Sequence, residues 1–125
     1  MTVEARPVTA DTWGALTHLN VREDQKGYVA SNVYSIAQAQ FGFDMEDGHW
    51  TLSMFGIYDD EMPVGFFMYG FNVEEPSIQG FIFRRMVDSE QQGRGYGSFG
   101  VEKMVEIFRA DERVKAVGIS YKPGN

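Results

Sequence analysis

Cysteine is missing from this 125-residue sequence, which excludes disulfides, thiolate metal ligands and a cysteine nucleophile. Proline is scarce, at four residues, and with 14 glycines the composition stays well clear of a low-complexity chain. No apolar run approaches the length of a membrane span or a signal-peptide core. Positive charge is also in short supply: 11 Lys and Arg stand against 18 Asp and Glu, a net −7. A field of that sign repels a phosphate backbone, so no nucleic-acid partner is expected, and no membrane partner either. It attracts small cations, polyamines among them, although the same charge serves plain solubility. What is present, 43% hydrophobic and 23% charged residues, suits one globular domain spanning 1–125, able to bury about two-thirds of its unfolded surface. The expected location is cytoplasmic.

The order of segments predicts a mixed α/β fold. Residues 2–8 alternate as a first strand, and Thr9 or Asp11 can cap a short helix carrying Trp13, Leu16 and Leu19. A second helix follows, capped by Ser31 or Asn32, with Val33, Ile36, Ala37 and Phe41 as its apolar stripe. The acidic stretch 42–48 reads as loop. Strands over 50–58 and 64–71 flank the turn Asp59-Asp60-Glu61-Met62-Pro63, and a fourth strand runs over 78–88 with Phe81, Phe83, Arg85 and Val87 on one face. Residues 96–110 form the strongest amphipathic helix, through Val101, Met104, Val105 and Phe108. A fifth strand over 115–121 closes the order β-α-α-β-β-β-α-β, and its crossover makes it parallel to the fourth.

The chemistry-bearing stretch lies just before the long helix. Gln92-Gly93-Arg94-Gly95-Tyr96-Gly97-Ser98 places alternate glycines and one arginine between a strand and a helix N-terminus. Main-chain N–H groups and the positive end of the helix dipole converge there, an arrangement that takes an anion such as a phosphate. A plain packing turn is the competing reading. Gly95-x-Gly97-x-x-Gly100 has the letters of a dinucleotide fingerprint, yet the position of the acidic partner falls at Ser120, Tyr121 and Lys122. The Gly-Lys-Ser/Thr ending of a P-loop is absent. His18 and His49 share no ligand spacing, and Asp44, Glu46 and Asp47 are too compressed for a calcium loop, so no metal is expected.

Gln92-Gly93-Arg94-Gly95-Tyr96-Gly97 resembles the Arg/Gln-x-x-Gly-x-Gly/Ala signature of the GNAT superfamily of acyl-CoA N-acyltransferases, and the likeness extends over nearly the whole chain. Together with Met68-Tyr69-Gly70, the strand from Phe81 to Asp88, Gln25 and Tyr28, it is most similar to bacterial spermine/spermidine (diamine) N-acetyltransferases. The resemblance implies acetyl-CoA as cosubstrate. Its diphosphate would lie on Gln92, Gly93, Arg94, Gly95, Tyr96, Gly97 and Ser98, and its pantetheine arm against Arg85, Met86 and Val87 in the gap between splayed fourth and fifth strands. Asn125 would be a further contact. It also implies a small-molecule primary amine, a polyamine such as spermidine or spermine, approaching from the first two helices near Glu23, Gln25 and Tyr28. Direct attack would follow, with a main-chain N–H near Met86 or Val87 facing the developing oxyanion.

Two departures from the family pattern bear on catalysis. The fourth-strand position that often holds an acid is Phe83, which cannot accept a proton; Glu23, Asp24 or a water chain could serve instead. The family fold also continues past the fifth strand with a helix, carrying a tyrosine proposed as the acid, and two more strands. This sequence stops at Asn125, so the expectation is a domain lacking those elements, either a fragment or completed by a second subunit as in a homodimer. The catalytic residues therefore stay unassigned. Alternative readings are a GNAT enzyme for an aminoglycoside, an amino sugar or a peptide N-terminus, a non-catalytic acyl-CoA-binding module, and a structural domain whose turn binds nothing.

Overall fold

The computed structural model describes residues 2–20, 31–46 and 48–119. Six strands are found among them: β1 (Val3–Pro7), β2 (Phe43–Met45), β3 (Gly48–Asp59), β4 (Met62–Phe71), β5 (Gly80–Val87) and β6 (Val117–Ile119). The helices are α1 (Trp13–Leu16), α2 (Asn32–Phe41) and α3 (Tyr96–Arg109), with one turn of 3-10 helix at Ser89–Gln91. The sheet order is β1-β3-β4-β5-β6, antiparallel except for the parallel β5–β6 pair that the α3 crossover predicts. Short β2 pairs with the start of β3, so the expected loop at 42–48 is in part a strand: Phe43 sits opposite Trp50 and packs toward Phe83.

Helices cover the two faces of the sheet, which is why β4 reads as an almost unbroken apolar run. On one face α3 buries Met104 and Phe108 against Phe55, Ile57, Phe67 and Ile82. Its buried line is Gly100, Met104 and Phe108, and Gly100 is where the helix touches the sheet: a Cβ there would lie 2.2 Å from the tip of the Phe67 ring. On the other face α1 and α2 cover Leu52, Phe66, Met68 and Met86. Helix α2 begins as expected, with Ser31 capping it by accepting the Tyr34 N–H at 3.1 Å. Of its expected apolar stripe, however, only Ile36 packs on the core. Asn32 and Ser35 are buried with Ile36 and Ala39 beside them, while Val33 and Phe41 face solvent. Asn32 tolerates burial because its amide donates to the Leu16 carbonyl at 2.7 Å. Helix α1 is a single turn, and of the apolar residues it carries Leu16 is fully buried while Trp13 is half exposed.

The pairing of β5 departs from the expected alternation. Tyr69 faces Ile82 and Met68 faces Arg84, so Phe83 is an extra residue, a β-bulge. Phe83 and Arg84 consequently both lie on the α2 face, and the expected row Phe81, Phe83, Arg85, Val87 is broken: Arg85 shares the α3 side with Phe67, and Val87 packs in that core.

Candidate functional site

The site is built around the C-terminal half of β5. Strand β6 pairs only with Gly80, Phe81 and Ile82, so among the described residues the edge of 83–87 toward β6 carries no strand. Hydrogen bonds to β4 use alternate residues. Asp88 donates to the Val64 carbonyl at 2.8 Å, which turns the Met86 N–H toward β4 and the N–H groups of Arg85 and Val87 toward the open edge. Of the two positions expected to offer an oxyanion donor, Val87 therefore has its N–H on the free side and Met86 does not. The Met86 side chain is buried under α2, where the Asn32 amide meets its sulfur at 3.7 Å.

The turn after β5 is tied down at several points. The Gln92 side chain donates to the Val87 carbonyl at 3.1 Å, and Asp88 accepts the Asn20 N–H at 3.0 Å while the Ser89 N–H donates to the Asn20 carbonyl at 2.7 Å. Gly93 and Gly95 then have φ of +81° and +85°, left-handed values that favour glycine, and a Cβ at either would meet nothing within 4 Å. Gly95 is the N-cap of α3 and no side chain caps the helix. Phe99 closes the first turn on the Gly95 carbonyl at 3.1 Å, leaving the N–H groups of Tyr96, Gly97 and Ser98 as the orphan donors of a helix start. Gly93, Arg94, Gly95 and Ser98 are exposed. An uncapped, solvent-open helix start beside an arginine is a cradle for a diphosphate, so these residues fit the coenzyme that the sequence motif implies.

One anchor of this turn was not legible in the sequence. Tyr96 is buried, and its hydroxyl donates a hydrogen bond to the carboxylate of Asp59, also buried, at the end of β3. That bond, followed by burial and the Asp59 charge, pushes the Tyr96 pKa above its ordinary value, with Arg94 pulling the other way. Asp59 reads in sequence as one of three acids at a hairpin tip; only Asp60 and Glu61 occupy the tip, with Asp60 at φ +54°.

On the α2 face, beside the bulge, Phe83 packs edge-on against Phe43 and Trp50. Next to it the Arg84 guanidinium donates from Nη1 to the Phe83 carbonyl and from Nη2 to Gln38 Oε1, each at 3.1 Å. Neither Arg84 nor Gln38 carries a sequence signal, since the bulge that turns Arg84 to this side leaves no mark in the residue pattern. Glu23, Asp24, Gln25, Tyr28 and Asn125 lie outside the described residues, so the expected acceptor contacts and the last coenzyme contact have no place in this geometry. Among the described residues no cluster of His, Asp and Glu could hold a metal ion, and no helix is long and apolar enough to cross a membrane. His49 instead meets Asp44 at 2.6 Å across the β2–β3 pair.

Comparison with solved structures finds this fold repeatedly. A ribosomal-protein-alanine N-acetyltransferase from Brucella melitensis biovar Abortus 2308 superposes with a TM-score of 0.68 at 13% identity, covering 99% of this chain and 83% of that one. A GNAT family acetyltransferase of Staphylococcus aureus gives 0.63 at 17% identity, covering 100% and 89%. An aminoglycoside antibiotic 6'-N-acetyltransferase from Acinetobacter haemolyticus gives 0.66 at 9% identity, covering 98% and 81%. No curated protein sequence matches. The family model described as the acetyltransferase (GNAT) family matches residues 13–122, a span that begins with α1 and includes the turn, α3 and β6. The chain therefore belongs to the GNAT acetyltransferase family, and its activity class is that of the acyl-CoA-dependent N-acetyltransferases.

Proposed function

We propose that this chain transfers the acetyl group of acetyl-CoA to a primary amine, with the diphosphate held by the turn 92–98 and the acyl arm along the open edge of β5. The observation that carries the reading is an uncapped helix start, preceded by two left-handed glycines in open space, at the end of a strand whose outer edge is half unpaired among the described residues. When bound, the cosubstrate supplies a carbonyl carbon activated by its thioester. The protein's own part is to bind and orient. The first-turn N–H groups of α3 and Arg94 hold negative charge. Gln92 fixes the Val87 carbonyl, which leaves the neighbouring Val87 N–H as a pre-set donor toward developing oxygen charge on the open edge. The amine approaches from the α1–α2 side, where the bulge presents Phe83 and Arg84. An amine of ordinary pKa, about 10.4, arrives at neutral pH as its ammonium and must lose a proton before it attacks, and Phe83 cannot take it.

A polyamine acceptor is supported by the motif likeness and by the net charge of −7, a property of the whole surface. The described side chains nearest the bulge argue for a different amine, because the charge they present is positive.

Thermal unfolding with and without ligand tests the assignment. Acetyl-CoA at a hundred times its Kd raises stability by about 2.7 kcal/mol, whereas NAD and ATP leave the Tm unchanged. Gly95→Ala places a Cβ at a left-handed φ that the fold itself holds, which costs about 1–2 kcal/mol of stability; where the turn relaxes to relieve that strain, acetyl-CoA binding weakens by up to roughly 5- to 30-fold. Absence of any shift at millimolar acetyl-CoA would overturn the reading, and binding without release of free coenzyme A for any amine would leave the binding module.

A further inference from the structure

We propose that the acceptor amine also carries a carboxylate and that Arg84 receives it. This rests on the acetyl-transfer reading above and names its acceptor class. The bulge at Phe83 is the first reason. Without it Arg84 would alternate to the α3 side; with it the guanidinium is delivered to the α2 face, the side from which the amine arrives. The second reason is the state of that guanidinium. Half-buried, it has lost part of its hydration, and burial pulls its pKa below the ordinary arginine value, opposed in part by Tyr34. Arg6 meets Glu4 and Glu61, and Arg113 meets Asp111, but no carboxylate among the described residues forms an ion pair with Arg84.

The partners it does have are neutral. Of five N–H donors, one goes to the Phe83 carbonyl and one to Gln38 Oε1, and its buried Nε has no partner among the described residues. Two neutral oxygens orient a guanidinium without balancing its charge, and a partly desolvated charge left unbalanced is costly. Each Nη keeps one further N–H, and donors of a planar guanidinium meet a carboxylate in directed, charge-assisted bonds. A polyamine would set an ammonium against this cation, a like-charge contact in a partly dry place. A phosphate monoester carries about −1.5 to −2 near neutral pH and would overcompensate a single guanidinium, so one carboxylate is the matched anion. The class is therefore an amino acid or a peptide whose free carboxylate lies an arginine's reach from the amine that is acetylated.

The test compares acceptors that differ only in that group, using release of free coenzyme A by the full chain. Lysine, lysinamide and cadaverine have side-chain amines of similar basicity; further amino acids are run with their amides and decarboxylated amines, and spermidine is included. Expected is a kcat/KM at least tenfold higher for the preferred carboxylate-bearing amine than for its amide or decarboxylated partner. In Arg84→Gln that ratio falls to within about twofold of one, and Arg84→Lys lies between, while acetyl-CoA affinity in both stays near that of the parent. Spermidine or cadaverine outpacing every carboxylate-bearing counterpart overturns the proposal and leaves the N-acetyltransferase reading standing. So does binding of acetyl-CoA with no turnover of any carboxylate-bearing amine, or an Arg84→Gln variant that loses acetyl-CoA affinity with the acceptor ratio unchanged. Failure to bind acetyl-CoA at all refutes the underlying reading instead. If Arg84→Gln does not fold, the parent protein still decides: hexanoate competes with the amine if the carboxylate is recognised, and an absence of competition overturns the proposal.

Discussion

The two faces of the sheet are packed in different ways. Under α3, Phe108 and Met104 are 2% and 0% exposed, Gly100 rests on the Phe67 ring, and Phe67 in turn stacks on Phe55 at 5.6 Å. Over the opposite face α2 offers mostly small or polar side chains to the sheet, Asn32, Ser35 and Ala39 beside Ile36, and turns Val33, Tyr34 and Phe41 outward. The contrast follows the division of labour proposed for the site. The turn proposed to hold the diphosphate is the N-terminal extension of α3, so its position is as well defined as that helix's seat on the sheet. The side proposed for the amine is covered by a helix whose buried side chains are smaller and more polar, and there polar groups such as Gln38 and Arg84 meet beside the bulge. A donor site of fixed shape and an adaptable acceptor side suit chemistry in which one substrate is constant.

The contrast breaks most directly at Phe108, which meets Tyr69 and Phe71 edge-on at 5.7 and 5.1 Å. Phe108→Ala removes a buried ring from between two others, and the expected loss is about 3–5 kcal/mol, a fall in Tm of roughly 10 to 20 °C by calorimetry. A loss below about 1 kcal/mol would mean that the α3 side is no better packed than the other.

The Tyr96–Asp59 bond sharpens the same comparison, because it ties the coenzyme turn to the sheet on the tight side. Tyr96→Phe leaves a buried carboxylate without its donor, and the expected result is a Tm lower by a few degrees at neutral pH and an acetyl-CoA affinity reduced a few-fold. The pH dependence identifies the cause. Tyr96 is raised above its ordinary value near 10 in the folded state, so its contribution is complete below that pH and is lost as pH climbs through the raised value. The gap in Tm between the parent and Tyr96→Phe should therefore be constant up to about pH 10 and close above it. A gap that stays open in alkali would assign the effect to packing of the ring alone.

These two residues also show what the sequence could and could not reveal. Helix α3 and its turn were legible because glycines punctuate the chain and Met104 and Phe108 repeat at helical spacing, signals that are local. Asp59 was not, because its partner is 37 residues away and an acid beside Asp60 and Glu61 looks like solvated turn. Arg84 was hidden for a related reason: Phe83 and Arg84 both suit a regular strand, and a bulge is fixed by the register with β4 rather than by either residue's own preference. Helix α2 misled in the opposite sense. Val33 and Phe41 carry the apolar signal, yet the buried positions went to Asn32 and Ser35, since a hydrogen bond to Leu16 satisfied the one and small size admitted the other. The charge sum of −7 suffered a similar loss of place, because a total says nothing of where a single cation sits.

The smallest expected effect lies on α2. Phe41 ends that helix at 83% exposure, so Phe41→Ala removes a phenyl ring that is already mostly in water. Burial is what makes such a ring stabilising, so the same chemical change that is most damaging at Phe108 should move stability here by no more than about 0.5 kcal/mol. In urea that is a midpoint shift of about 0.3 M or less with an unchanged slope. A loss above about 1 kcal/mol, or a changed slope, would show that Phe41 is covered in solution. The acceptor side would then be as closely packed as the coenzyme side, and the contrast between the two faces would have to be given up.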